Sequence, residues 1–257
     1  MLLTIDLGNT SLKLGIFNKD EEVAFTIIHN SENDDYLAII KNFLYRNNLN
    51  EKAIHDIIIS NVVPFAYKGL INASRTITGK DPIIIDARNP LGIKLDVDDP
   101  FEVGSDLIVM SAYGHALYQK DLFIVSFGSA TAISYVTADG RFKNCIIAPG
   151  FNAYGRSLSN LACLPEMVPN NKKNFAASNT NDALNVGVYQ GFIGMLRYLL
   201  AGFKGELQVN PSIIACGGQG KEIVKNIKDI EEYEPDFVTK GLHYLYKEYF
   251  NNETNLG

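Results

Sequence analysis

Residues 2–17 read LLTIDLGNTSLKLGIF, and this stretch sets the pattern for the whole chain. It predicts a buried strand at Leu2–Ile5, a turn of small residues at Asp6-Leu7-Gly8-Asn9-Thr10, and a second strand at Leu12–Phe17. A hairpin at Asn18-Lys19-Asp20 then leads to a third strand at Val23–Ile28. A Walker loop is excluded, because that loop connects a strand to a helix and ends in Gly-Lys-Ser/Thr.

The same pattern returns at residues 122–130, which read LFIVSFGSA. Ser126 in this second copy corresponds to Asp6, and Gly128 corresponds to Gly8. Two further strands follow, at Thr131–Thr137 and Phe142–Ala148, as they do in the first copy. We interpret the repeat as an internal duplication.

The rest of the chain alternates helical and strand patterns, which predicts an α/β protein. Helices are expected at 34–47, 104–118, 181–203 and 237–250, and strands at 56–63, 82–86 and 212–216. We expect two similar lobes with a cleft between them, residues 1–119 and residues 120–250, each with a mixed sheet flanked by helices. Residues 251–257 are expected to form a flexible tail.

Composition excludes several classes of function. The 257 residues are 46% hydrophobic, enough for real cores, and the net charge of −6 without a basic cluster argues against a nucleic-acid partner. No apolar run approaches the roughly 20 residues that cross a bilayer, and no leader pattern precedes the first strand, so we expect a cytoplasmic protein without a membrane partner. Three scattered cysteines indicate neither a disulfide framework nor a zinc site.

The first turn has the residue types of a phosphate site. With a positive φ at Gly8, backbone N–H groups could point at phosphate oxygens, and Thr10 and Lys13 would add a hydroxyl and a positive charge. Asp6, at the end of a buried strand, could hold Mg²⁺ directly or through water. The alternative is an ordinary Gly-Asn hairpin with an exposed aspartate.

The second copy favours the phosphate interpretation. Two phosphate-facing turns related by duplication suit a nucleotide held between lobes, with Gly128 and Ser129 on the opposite side. Gly217-Gly218 ends a strand where α/β sheets meet their ligands, and the pair would let a flat ring approach the backbone. Glycine pairs also end strands for purely steric reasons.

Eight motifs together make the chain resemble the type III pantothenate kinases of the acetate-kinase, sugar-kinase and actin superfamily. They are IDLGNTSLKLGIF at 5–17, ISNVVP at 59–64, DPFEVGSD at 99–106, FGSAT at 127–131, APG at 148–150, LACLP at 161–165, NTNDAL at 179–184 and CGGQG at 216–220. The resemblance implies a duplicated actin-like, ribonuclease H-like fold. It also implies ATP-dependent phosphorylation of pantothenate to 4'-phosphopantothenate, the first step of coenzyme A synthesis, by a homodimer whose 181–203 helix is a candidate interface element.

The resemblance also implies roles for individual residues. Asp106 matches the general base, and Asp6 is in addition a possible Mg²⁺ ligand. The residues that match the ATP contacts are Asp6, Leu7, Gly8, Asn9, Thr10, Ser11, Leu12, Lys13, Gly128 and Ser129. The residues that match the substrate contacts are Val97, Gly104, Ser105, Asp106, Leu107 and Thr180. From the residues alone, Asp106 is also compatible with a first-turn helix aspartate, and Thr180 with a helix N-cap.

Three positions depart from the family pattern. Leu107 replaces the arginine that follows the catalytic aspartate, and Val97 replaces a substrate-contacting tyrosine. Ser126 replaces the aspartate that serves a monovalent cation such as K⁺ or NH₄⁺, so dependence on that cation is in doubt. Two alternatives therefore remain open: a kinase of another small alcohol, and a catalytically weak paralogue that binds nucleotide or a pantothenate-like ligand.

Overall fold

The structure is a computed structural model that describes residues 1–32, 34–89, 91–159, 164 and 175–251. The chain divides into two compact units. Unit 1 contains Met1–Gln119, the short segment Gly140–Phe142 and the segment that begins at Asp236. Unit 2 contains Lys120–Asp139 and the described part of Lys143–Pro235.

Unit 1 is built on a mixed five-stranded sheet of order β3-β2-β1-β4-β5. Antiparallel pairing joins β1 to β2 and β2 to β3, whereas β4 lies parallel to both β1 and β5. The strands are β1 (Leu2–Leu7), β2 (Ser11–Asn18), β3 (Glu21–His29), β4 (Asp56–Asn61) and β5 (Ile83–Ile84), and the short β6 (Lys94–Leu95) pairs with Arg141–Phe142. The helices are α1 (Tyr36–Arg46), α2 (Tyr67–Thr78) and α3 (Ser105–Tyr118).

The core of unit 1 explains why β1 reads as a nearly continuous apolar run. All six of its residues are buried, and Leu3, Ile5 and Leu7 pack with Ile40 of α1 and Leu70 of α2. Each helix end has a local cause: Asp35 caps α1 by accepting from the Ala38 N–H, and α2 stops where Gly79 turns left-handed, at φ 76°.

Unit 2 repeats this arrangement. Its strands are β7 (Leu122–Phe127), β8 (Ala130–Val136), β9 (Arg141–Pro149), β10 (Ser212–Cys216) and β11 (Ile230–Glu234), and its helices are α4 (Phe151–Ser159) and α5 (Thr180–Leu207). Within this unit the strand order is β11-β10-β7-β8-β9. Read from β9, the order 9-8-7-10-11 is that of unit 1, where it is 3-2-1-4-5. The predicted duplication and the predicted α/β fold class are therefore confirmed.

The closing helix differs from the sequence expectation, which placed it in the C-terminal lobe. It comprises α6 (Phe237–Leu245) and a π-helical turn at Tyr246–Phe250. Its buried residues include Phe237 and Leu242, and it packs against α3 and β1 of unit 1. The reason is hydrophobic, because both faces of β1 are buried and each must be covered. Helices α1 and α2 cover one face of the strand, and α6 covers the other face.

Several elements were not predicted. The sequence analysis missed β6, α4 and β11, each of which is short or weakly patterned. The predicted tail lies outside the described residues except for Asn251, and most of the LACLP motif, residues 161–163 and 165, lies outside them as well.

Candidate active site

Asp6 and Lys13 form an ion pair at the carboxyl edge of the unit 1 sheet. They are register partners across β1 and β2, and Lys13 Nζ lies 2.7 Å from Asp6 Oδ2. The Lys13 side chain is 15% exposed and the Asp6 side chain is 6% exposed. A buried carboxylate requires such a partner, because an uncompensated charge in this environment is strongly destabilising.

The turn between these two residues is closed by one hydrogen bond and held by an asparagine. The Gly8 N–H donates to the Ser11 carbonyl at 2.9 Å. Asn30, which is buried just after β3, donates its side-chain amide to the Gly8 carbonyl at 3.2 Å and its backbone N–H to the Thr10 carbonyl at 3.1 Å. Tyr36 in turn donates to Asn30 Oδ1 at 3.1 Å. Sequence reasoning missed Asn30, because nothing local relates it to the turn.

Gly8 does not adopt the positive φ that the sequence-based hypothesis required. Among the described glycines, positive φ occurs at Gly79, Gly92, Gly140 and Gly217. A Cβ at Gly8 would meet the Ser11 carbonyl at 3.6 Å, an ordinary contact distance. Neither backbone conformation nor packing therefore demands a glycine here.

Asp106 lies at the start of α3, and a serine link fixes this start beside β4. Ser105 Oγ accepts from the Asn61 N–H at 2.9 Å and lies 3.0 Å from Ser60 Oγ. Ser60 is the register partner of Asp6 across β1 and β4. The sheet register and this link together bring the first turn of α3 to the edge that carries Asp6.

The carboxylate of Asp106 has local room and a local hydrogen bond. A Cβ at Gly104 would lie 2.6 Å from Asp106 Oδ1, so any larger residue at position 104 would displace this carboxylate. The Leu107 N–H donates to Asp106 Oδ1 at 2.9 Å. Leu107 thus contributes a backbone donor, although it lacks the guanidinium that the family pattern has at this position.

The environment of Asp106 raises its pKa to about 6. Burial is the largest cause and the negative charge of Asp6 is the next, whereas the Leu107 N–H and the charge of Lys13 act in the opposite direction. A carboxyl with a pKa near neutrality can take a proton from a substrate and release it afterwards. Perturbed carboxyls of this kind cluster at functional sites.

The second turn, in unit 2, collects three of the sequence motifs. The Gly128 N–H donates to the Ala130 carbonyl at 3.0 Å, and the Gly150 N–H donates to the Ser129 carbonyl at 3.2 Å. Gly217 has φ 90°, and a Cβ there would lie 2.5 Å from the Phe127 carbonyl. Crowding against the Phe127 backbone is therefore sufficient to explain the glycine at position 217. FGSAT, APG and CGGQG thus meet at one end of the sheet.

The second turn lacks the ion pair of the first. Ser126 is the register partner of Ala132, whereas Asp6 is the partner of Lys13. The duplication has therefore kept the backbone of the turn in unit 2 and lost both charges.

The remaining predicted substrate contacts occupy different settings. Val97 is half-buried just after β6 in unit 1. Thr180 is the exposed first residue of α5 in unit 2, and the N-cap is Asn179, whose Oδ1 accepts from the Asp182 N–H at 3.0 Å. The alternative role of Thr180 as the N-cap is therefore wrong.

Two carboxylates of unit 1 are suited to a divalent cation. No group of three or more His, Cys, Asp or Glu residues that could hold a metal occurs in the described part of the chain. Mg²⁺ does not require one, since it keeps several waters and binds through one or two carboxylates together with substrate phosphates. Asp6 and Asp106 both lie at the same edge of the unit 1 sheet, and the negative charge of Asp6 is one cause of the raised pKa of Asp106. Such a pair fits Mg²⁺ without a further protein ligand.

None of the helices that the structure describes is both long and apolar enough to span a bilayer. Comparison with solved structures shows the fold. A ROK family glucokinase from Streptomyces griseus, solved with glucose and AMPPNP, superposes with a TM-score of 0.55 at 10% identity, over 95% of this chain and 98% of that one. The actin-like fold is thereby confirmed.

Sequence comparison is more specific. A family model described as type III pantothenate kinase matches residues 2–201. The type III pantothenate kinase of Geotalea uraniireducens is 32% identical over 258 residues, which cover 99% of this chain and 100% of the relative. That of Dictyoglomus turgidum is 33% identical, over 96% and 98% of the two chains. The chain therefore belongs to the type III pantothenate kinase family.

Proposed function

We propose that this chain transfers the γ-phosphoryl group of ATP to the hydroxyl of pantothenate, producing 4'-phosphopantothenate and ADP at the first step of coenzyme A synthesis. Family membership supports ATP and a divalent cation as the partners of the reaction. The observation that carries the proposal is Asp106, which has a pKa near 6 and lies at the sheet edge that holds the Asp6–Lys13 pair.

Asp106 acts as the general base in this proposal. The pantothenate hydroxyl oxygen forms a bond to the γ-phosphorus, the bond from that phosphorus to the β,γ-bridging oxygen breaks, and the hydroxyl proton passes to the Asp106 carboxylate. Proton transfer contributes only part of the rate in phosphoryl transfer, where positioning and electrostatic stabilisation dominate. The Ser105 link to β4 supplies the positioning, because it fixes the turn that carries the base.

The first turn binds the phosphates of ATP. The residues proposed to contact them are Asp6, Leu7, Gly8, Asn9, Thr10, Ser11, Leu12 and Lys13. Gly8 presents no side chain to phosphate oxygens that approach the backbone, and the Lys13 ammonium supplies a positive charge. Asp6, with Asp106 nearby, would hold Mg²⁺, which when bound neutralises charge on the phosphate oxygens.

The proposed ATP contacts of unit 2 are Gly128 and Ser129. A Cβ at Gly128 would meet the Ala130 carbonyl at 3.5 Å, so packing does not demand glycine here either. Ser126, without a charge, leaves no acidic ligand for K⁺ at this position. We therefore propose that the enzyme works without a monovalent cation.

The proposed pantothenate contacts are Val97, Gly104, Ser105, Asp106, Leu107 and Thr180. Leu107 cannot form the two parallel hydrogen bonds by which arginine binds a carboxylate. Weak pantothenate binding is the expected consequence. We also propose that the protein is a cytoplasmic homodimer and that the 181–203 helix contributes to the interface between the two copies.

The decisive experiment measures ADP release with and without pantothenate for the wild type and for Asp106→Asn. Pantothenate-dependent turnover in the wild type, with a loss of about 100-fold or more in the variant, is the expected result. Asp98→Asn is a matched control, because Asp98 is exposed in the loop after β6 and has no assigned role. Absence of pantothenate-dependent turnover in the wild type would refute the proposed substrate.

A second candidate function keeps ATP and Asp106 and changes the acceptor. Leu107 and Val97 favour it, because both replace polar substrate contacts by apolar side chains. It predicts that ADP release responds to a less charged alcohol and not to pantothenate. If no alcohol stimulates ADP release while ATP still binds, a nucleotide-binding role without catalysis is favoured instead.

A further inference from the structure

A cavity of about 670 Å³ lies within unit 1, at the edge of the sheet opposite Asp6. It is lined by Leu2 and Asp56, the first residues of β1 and β4, which are register partners. Asp6 lies four positions after Leu2 along β1, or about 13 Å away at the rise of a strand. The cavity is therefore distinct from the candidate active site, and its size is that of a small-molecule pocket.

The lining of the cavity carries more positive than negative charge. Three lysines (Lys19, Lys80 and Lys247) face two carboxylates (Asp20 and Asp56), and two imidazoles (His55 and His243) complete the charged and polar lining. Each carboxylate is paired with one of these lysines, which leaves an excess of one positive charge. Asp20 pairs with Lys247, and Asp56 pairs with Lys80 at 2.6 Å and accepts from the Tyr246 hydroxyl at 2.7 Å. A local positive excess is notable in a chain whose net charge is −6.

Lys19 sits in a backbone conformation that normally selects glycine. It is the first residue of the two-residue turn between β2 and β3, with φ 54°. Such a φ is uncommon for a residue other than glycine, although Asn48, Gln119 and Gln208 adopt it at other turns of the chain. A lysine here places an ammonium group at the cavity at the cost of an unfavourable turn.

His243 fixes this turn and presents a flat surface. Its ring stacks on Phe17 with a centroid distance of 4.3 Å and an interplanar angle of 6°. Its Nε2 lies 2.6 Å from the Lys19 carbonyl oxygen, and since a carbonyl only accepts, Nε2 carries the proton. The stack and the hydrogen bond together make one rigid wall of the cavity.

We infer that this cavity binds a small anionic metabolite that carries a phosphate group. The Lys19 ammonium, with the paired Lys80 and Lys247 in the same lining, suits the oxygens of a phosphate, for which lysine is a common point-charge ligand. The volume exceeds what one phosphate needs, so the remainder of the ligand packs against the His243 wall. The inference is independent of the proposed catalytic function, because it uses none of the same residues.

Histidine-ring NMR with pyrophosphate as the probe tests this inference on the full chain. The chain has four histidines. His55 and His243 line the cavity, whereas His29 is the register partner of Ser11 and reports on the phosphate turn, and His115 lies in α3. We expect saturable shifts of the His55 and His243 resonances with one common dissociation constant, whatever His29 does, and no shift of His115. Unmoved His55 and His243 resonances would overturn the inference.

Variants at Lys19 test whether the shifts of the His55 and His243 resonances come from binding in the cavity. Lys19→Gln is expected to weaken the constant reported by His55 and His243 about tenfold, by loss of one charge-assisted contact. Lys68→Gln, at an exposed lysine of α2 outside the cavity, is the matched control and should leave it unchanged. Lys19→Gly also removes the ammonium but relieves the positive φ, so it should weaken binding without lowering the melting temperature. Unchanged binding in both Lys19 variants would refute the site.

Discussion

Lys13 Nζ lies 2.7 Å from Asp6 Oδ2, and the two residues are also direct partners in the register of β1 and β2. This pair has opposite effects on a third residue, since the charge of Asp6 raises the pKa of Asp106 and the charge of Lys13 lowers it. The proposed catalytic base, the proposed metal ligand and the proposed phosphate ligand are thus electrostatically coupled. A change at any one of the three residues should therefore alter the behaviour of the other two.

The activity of the wild type should fall on the acid side with an apparent pKa of about 6. Asp106 must be ionised to accept the hydroxyl proton, and its pKa is raised to about 6 by burial and by Asp6. Below that value kcat/KM should drop about tenfold per pH unit. The measurement is kcat/KM for pantothenate at saturating ATP between pH 4.5 and 8. A profile that is flat down to about pH 4.5 would show that Asp106 is not the base.

The two members of the ion pair should shift this acid limb in opposite directions. Lys13→Gln removes a charge that lowers the pKa of Asp106, so the limb should move to higher pH, while Asp6→Asn should move it to lower pH. Both variants should lose activity, because ATP phosphates and the metal lose a ligand. The shape of the pH profile separates this effect from a loss of folding. If the acid limb moved in the same direction in both variants, the electrostatic coupling of Asp6 and Lys13 to Asp106 would be contradicted.

Asp106→Asn should stabilise the protein while it removes activity. The pKa of Asp106 is raised, so ionisation is unfavourable in the folded state, and stability is lost as pH rises from the unfolded pKa near 3.8 to about 6. An uncharged asparagine avoids this cost, which is on the order of 3 kcal/mol at pH 7. Urea unfolding at pH 7 and pH 4 measures it. The difference from the wild type should shrink at pH 4, and a difference that is the same at both values would point to a packing effect.

Leu107→Arg should strengthen pantothenate binding. Leu107 follows Asp106 directly and brings only its N–H to the carboxylate side, whereas an arginine adds a bidentate partner for the substrate carboxylate. We expect KM for pantothenate to fall about tenfold with little change in KM for ATP. Leu107→Met, which changes shape without adding charge, is the control. An equal effect of Leu107→Met would exclude the electrostatic explanation.

Ser126→Asp should introduce dependence on a monovalent cation. The wild type, with an uncharged residue opposite Ala132, should show the same turnover in K⁺ and in a tetramethylammonium buffer. The aspartate supplies the missing charge, so the variant should be activated by K⁺. Ser126→Asn has the same size without the charge and should show no response. Strong activation of the wild type by K⁺ would contradict the assignment of this position.

Local sequence was sufficient to predict the strands and turns around Gly8 and Gly128. Alternating and continuous apolar runs around Gly8 and Gly128 predicted strand, turn and strand, and the repeat predicted two equivalent sheets. These features are encoded within about ten neighbouring residues. The short β6 was missed because two residues carry no periodicity.

Assembly of the site depended on contacts between distant residues. Asn30 holds the Gly8 turn, and Ser105 links α3 to β4, yet neither residue is singled out by its neighbours in the chain. The raised pKa of Asp106 depends on Asp6, which is a hundred positions earlier. Sequence reasoning named both carboxylates but could not relate them.

The sequence by itself determined the duplicated α/β fold, the two turns, and the set of residue types that place the chain in its family. Only the tertiary structure decided that α6 covers unit 1, that Asp106 is poised near neutrality, and that a basic cavity lies at the far end of β1. The physical reason is the range of the forces involved. Backbone propensity and hydrophobic periodicity act along the chain, whereas burial, charge coupling and cavity lining depend on which distant segments pack together.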